Sequence, residues 1–118
     1  MSTDKRIDYI EFPAADISVA KKFYGEVFGW TFVDYGLDYC AFNDGRINGG
    51  FRRADVFSAT SQNGAVLIVI YATDLKATKK RVMAAGAAIL RDIYSFPGGR
   101  RFHFLDPNGN ELAVWSDH

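Results

Sequence analysis

The stretch Arg101-Phe102-His103-Phe104-Leu105-Asp106-Pro107-Asn108-Gly109-Asn110-Glu111-Leu112-Ala113-Val114-Trp115 reads as a β-hairpin, two alternating apolar runs joined by an Asp-Pro-Asn-Gly-Asn turn. Proline presets φ at the first corner, and glycine or asparagine accepts the positive φ that follows. The strands are thereby held in one register, and period-two alternation assigns their faces. Phe102, Phe104, Leu112 and Val114 take the core, which leaves Arg101, His103, Ala113 and Trp115 on the opposite, concave side.

Upstream, the chain repeats itself. Asp16-Ile17 and Lys21-Lys22 recur as Asp74-Leu75 and Lys79-Lys80, an offset of 58 residues, and each block follows an apolar strand and opens a helix. Module one, about 7–53, reads as strand 7–13, helix 17–28 and strands 31–35, 38–43 and 47–52. Module two, about 65–115, reads as strand 65–72, helix 74–86 and strands 88–94, 101–105 and 111–115. The order in each is βαβββ. A polar connector, 54–64, with Ser58, Thr60, Ser61, Gln62, Asn63 and Gly64, separates them.

Both helices carry start and stop signals. Asp16 and Asp74 can accept hydrogen bonds from first-turn amides, and Gly29 and Gly86 can take the left-handed cap conformation. Ile17, Ala20, Phe23, Tyr24 and Val27 fall at helical spacing, as do Leu75, Thr78, Val82 and Ala85, so each helix covers one face of a sheet. In the first strand Ile10 and Phe12 face that core, turning Tyr9 and Glu11 away; in the fifth, Val66, Ile68 and Ile70 do so, turning Leu67, Val69 and Tyr71 away.

Composition sets outer bounds. A chain of 118 residues, 48% apolar and 24% charged, suits one globular domain. Fourteen basic and fourteen acidic residues cancel, so no global field draws it to nucleic acid or to an anionic membrane. Short basic pairs such as Arg52-Arg53 and Arg100-Arg101 form no stripe with interleaved aromatics. The single cysteine, Cys40, cannot form an internal disulfide, and no apolar run is long enough for a signal peptide or a membrane span. A reducing cytoplasm is the expected home.

The hairpin's Phe-x-Phe-Leu-Asp-Pro-x-Gly-Asn run resembles the end of a glyoxalase/bleomycin-resistance/dioxygenase domain, the vicinal-oxygen-chelate superfamily. A second signature is similar to that family's opening: Ile10-Glu11-Phe12-Pro13-Ala14-Ala15-Asp16, then Ala20-Lys21-Lys22-Phe23-Tyr24 and Val27-Phe28-Gly29-Trp30. Together they bracket residues 7 to 115. The resemblance implies an α+β fold of two βαβββ modules in a curved, cup-like mixed eight-stranded sheet with helices outside, forming one domain over 1–118. It also implies a homodimer, since half-barrel modules leave sheet edges for a partner to cover.

Family members that do metal chemistry place a ligand on the first and last strand of each module. The matching positions are Tyr9, seven residues before the capping Asp16, Leu67 in module two, Ala113, seven residues after Asp106, and strand 46–53, Arg-Ile-Asn-Gly-Gly-Phe-Arg-Arg. None supplies the His nitrogen or carboxylate oxygen that a divalent metal needs. No metal ligand and no cofactor is therefore assigned. The concave face is aromatic with a few polar groups, as a small-molecule pocket requires. Tyr9, Tyr39, Leu67, Tyr71, Tyr94, Arg101, Ala113 and Trp115 are the candidate ligand-binding residues, and Glu11 and His103 the candidate acid–base pair. Three functions fit: a metal-independent protein that sequesters or carries a small organic molecule, a lyase or isomerase working through a non-standard site, or a subunit that regulates or scaffolds a partner through its sheet edge. Cys40, inside a strand with no cationic partner evident, reads as a small hydrophobe rather than a nucleophile.

Overall fold

The computed structural model describes residues 4–56 and 59–118. Ser58 of the connector lies outside the described residues. The chain divides into two compact units, residues 1–56 and 57–118, each built as one βαβββ module of the α+β class expected.

In the first unit β1 (Tyr9–Ala14) leads to α1 (Ile17–Phe28), followed by β2 (Thr31–Asp34), β3 (Tyr39–Asn43) and β4 (Asn48–Arg53). The strands form a mixed four-stranded sheet in the order β1-β4-β3-β2, with β1 parallel to β4. Asp16 caps α1 by accepting from the Val19 amide, and Gly29, at φ 73°, closes it. The helix buries Ala20, Phe23, Tyr24 and Val27. Tyr24 stacks on Trp30 and Phe51, with centroids at 4.4 and 5.4 Å, so this core is a layer of rings.

The second unit repeats the plan with β5 (Ile68–Tyr71), α2 (Leu75–Ala84), β6 (Ala88–Phe96), β7 (Gly99–Leu105) and β8 (Glu111–Ser116), in the order β5-β8-β7-β6. The 58-residue offset extends beyond the motifs that revealed it. Asp74 caps α2 at the Ala77 amide as Asp16 caps α1, and the Lys21–Asp34 ion pair at 2.9 Å recurs as Lys79–Asp92 at 2.6 Å. Both pairs are exposed enough for water to screen them, so they add little to stability.

One expectation changes. The fifth strand begins at Ile68, not at residue 65, and Val66, placed under the helix by alternation, stands outside the strand at 84% exposure. Pro97 and Gly98 make a two-residue turn in which Phe96 faces Gly99 and Gly98 takes φ 110°, so this segment is a tight hairpin corner. The connector contributes a short 3-10 turn, Ser61–Asn63.

Candidate functional site

The terminal hairpin has the register read from its sequence. Phe102 pairs with Val114, His103 with Ala113 and Arg101 with Trp115, and Phe102, Phe104, Leu112 and Val114 are fully buried. The Asp106 carboxylate holds the turn, accepting from the amides of Asn108 at 2.8 Å and Asn110 at 3.0 Å. Gly109 sits at φ 87°.

Cross-strand pairing then lays out the other face of this sheet in rows. Tyr94 lies beside Arg101, Arg101 beside Trp115, and Trp115 beside Tyr71; in the next row His103, Ala113 and Val69 are neighbours. Tyr71 meets the Trp115 ring edge-on at 5.1 Å and donates its hydroxyl to Asp117 at 2.6 Å. A cleft of about 230 Å³ opens here, lined by Val69, Phe96, Arg101 and Trp115.

Behind the cleft runs a polar chain. The Arg101 Nε donates to the Tyr94 hydroxyl, the hydroxyl lies 2.8 Å from His103 Nε2, and His103 Nδ1 lies 2.8 Å from Glu111 Oε2. The Ser61 amide and hydroxyl donate to the same carboxylate, at 2.6 and 3.0 Å. Burial alone would push the Glu111 carboxyl up, but the Ser61 amide, His103 and the Ser61 hydroxyl together hold it below its ordinary range. An ionised carboxylate can only accept, so Nδ1 of His103 carries a proton, and in the neutral imidazole Nε2 is then the acceptor that faces the Tyr94 hydroxyl. The Arg91 guanidinium covers the Tyr94 ring at 3.6 Å, and among the described residues Arg101 has no carboxylate partner.

In the first unit Glu11 accepts from the Tyr39 hydroxyl at 2.9 Å, Tyr39 and Tyr9 share a 2.5 Å hydrogen bond, and Arg52 stands 3.4 Å from Glu11. A side chain at Gly50 would collide with both tyrosine hydroxyls, so the glycine makes room for this cluster. Burial, followed by the bonds to Tyr9 and Glu11, pushes the Tyr39 phenol up. Cys40 is fully buried and its thiol is pushed up to about 11, by burial first and then by Asp34.

The candidate residues thus fall into two groups: Tyr9, Glu11 and Tyr39 in the first unit, and Tyr71, Tyr94, Arg101, His103 and Trp115 in the second. Ala113 is fully buried beside His103 and does not line the cleft, while Leu67, half-buried, immediately precedes β5. Glu111 and Ser61 were absent from the sequence candidates. Glu111 shares parity with Ala113 and Trp115, so alternation could have found it; Ser61 approaches from the connector and left no periodic signal.

Residues 6–114 match the family model described as Glyoxalase/Bleomycin resistance protein/Dioxygenase superfamily, and the chain belongs to that superfamily. A comparison with curated proteins found no match. Among solved structures, a glyoxalase/bleomycin resistance protein/dioxygenase family enzyme from Burkholderia phytofirmans PsJN superposes with TM-score 0.81 at 18% identity, covering 95% of this chain and all of that one. Lactoylglutathione lyase from Agrobacterium tumefaciens gives 0.72 at 24% identity, covering 98% and 96%, and the fosfomycin resistance protein FosX from Mesorhizobium loti gives 0.75 at 17%, covering 95% and 92%. Likeness at these identities shows a shared fold.

The residues here do not fit a metal held at that superfamily's ligand positions. Tyr9 is engaged with Tyr39, positions 67 and 113 are hydrocarbon, and β4 from Asn48 to Arg53 carries no acid or histidine. Among the described residues no three His, Cys, Asp or Glu side chains gather closely enough to hold an ion.

Proposed function

We propose that this superfamily member is a metal-independent binding protein for a small organic acid, which it sequesters or carries in the cleft of its second module. The observation that carries the reading is Arg101: a guanidinium without a carboxylate partner among the described residues, set among Val69, Phe96 and Trp115. Apolar walls supply buried area, and one fixed cation orients an anionic group through its fork of donors. The volume, about 230 Å³, lies below the roughly 300–1,000 Å³ of drug-sized sites, which favours a single ring or short chain bearing an acid.

Two further elements belong to the reading. A homodimer is supported by the edge strands β1 and β5, each paired on one side within its sheet. A cytoplasmic setting accords with the unbridged Cys40. The test is native mass spectrometry of the protein as purified, followed by soaking with millimolar benzoate. An added mass that is an organic acid, or retained benzoate, supports the reading; a bare chain that also fails to retain benzoate removes it.

A further inference from the structure

The polar chain behind the cleft is more elaborate than a binding wall needs. A pocket that only holds an anion requires Arg101; it does not require a buried histidine whose two nitrogens are engaged by a carboxylate and a phenol. His103 and Glu111 are 5% and 8% exposed, and no buried side-chain nitrogen or oxygen of the described residues lacks a partner. With the imidazole neutral the donors run in one direction: Arg101 to the Tyr94 oxygen, Tyr94 to His103 Nε2, His103 Nδ1 to Glu111. This is the arrangement in which an imidazole, oriented by a buried carboxylate, takes a proton from a hydroxyl.

We infer that Tyr94, outside the lining of the cleft but hydrogen-bonded to the Arg101 that lines it, exchanges a proton with a ligand held at Arg101, with His103 and Glu111 as the positioning residues that make its oxygen basic on demand. The inference rests on the small-acid reading of the same cleft. As the Tyr94 oxygen takes a proton from a bound organic acid, its own proton passes to His103 Nε2. The bond from the ligand to hydrogen breaks, leaving its electron pair on the ligand, while an O–H and an N–H bond form and the former O–H breaks. Glu111 stays ionised and neutralises the imidazolium. Arg101 faces the charge that develops on the ligand. Reversal returns the proton, so isomerisation by proton transfer needs no oxidant, reductant or further co-reactant. Tyr94 is held for this from both sides, by Arg91 over its ring and Arg101 at its hydroxyl.

The test uses 4-(fluorosulfonyl)benzoate, a small aromatic acid whose sulfonyl group traps an activated phenol: the Tyr94 O–S bond forms, the S–F bond breaks, fluoride leaves and the phenol proton goes to His103. Tyr35, 64% exposed, is the internal control. Peptide mapping of the intact protein is expected to show Tyr94 labelled on the order of a hundredfold faster than Tyr35, the span of general acid–base assistance. Both Glu111→Gln and His103→Asn are expected to bring Tyr94 down to the Tyr35 rate while Tyr35 itself is unchanged, a readout that a purely structural role would not move. Circular dichroism identifies whichever variant remains folded, and that one is scored. Benzoate retention with Tyr94 no faster than Tyr35 overturns the inference and leaves the binding reading standing. If neutral benzenesulfonyl fluoride labels Tyr94 as fast as the carboxylated probe, the activated phenol stands and the anion-binding reading fails.

Discussion

Asp106→Ala should loosen the hairpin on which His103 and Glu111 depend. The carboxylate accepts from two backbone amides, Asn108 at 2.8 Å and Asn110 at 3.0 Å, and from the Asn110 side chain at 3.3 Å. All three residues are buried. Truncation strips two amides of their acceptor where water has little access, and a buried donor left unpaired costs about 1–3 kcal/mol. Taking about 1.5 for each gives ~3 kcal/mol, and at ~4 °C per kcal/mol for a chain of this size the melting midpoint falls by ~12 °C. Differential scanning calorimetry reads this directly. Asp106→Asn keeps an acceptor oxygen for the amides and should lose about half as much. A midpoint within ~3 °C of the native protein for Asp106→Ala would refute the claim that this carboxylate holds the turn.

Gly109→Val forces a β-branched residue to φ 87° and should cost about 1–3 kcal/mol, seen as a lower urea midpoint at unchanged slope. Cys40, buried and with its thiol pushed up to about 11, should resist thiol reagents at pH 8 and react only as denaturant unfolds the chain. Glu111 lies below its ordinary value of 4.5 in the native state, so the native protein binds fewer protons there than the unfolded chain. Its stabilising contribution is full above about pH 4.5 and is lost as pH falls through the lower native value. Glu111→Gln should therefore flatten the acid limb of the stability curve, measured by urea melts between pH 3 and 7.

Much of the fold was legible because its signals are local. The aspartate caps, the Asp-Pro-Asn-Gly-Asn turn and the 58-residue echo each rest on a few neighbouring residues, and the hairpin's alternation holds on both sides of its turn, from Phe102 to Leu105 and from Glu111 to Trp115. Where a reading failed, continuity failed. Val66 carries an apolar side chain in phase with Ile68 and Ile70, yet the strand begins after it. In β6 the register shifts between Ile89 and Arg91 and again between Arg91 and Tyr94, so parity could not say where Tyr94 points. Glu11 and His103 were paired by chemistry, but each has its own partners: Tyr39 and Arg52 for Glu11, Glu111 and Tyr94 for His103. Glu111 was not among the sequence candidates. Its role depends on Ser61, fifty positions away, a contact no periodicity encodes.

Binding of a small acid at Arg101 without a metal is tested most directly by benzoate titration of Trp115 emission in the presence of chelator. A Trp30→Phe background removes the other indole, which lies in the core of the first unit. Saturable quenching that persists in chelator and weakens on the order of tenfold or more in Arg101→Gln is the expected result, since a hydrogen-bonded charge contact is worth about 1.5–3 kcal/mol. Quenching abolished by chelator, or unchanged in Arg101→Gln, would contradict it.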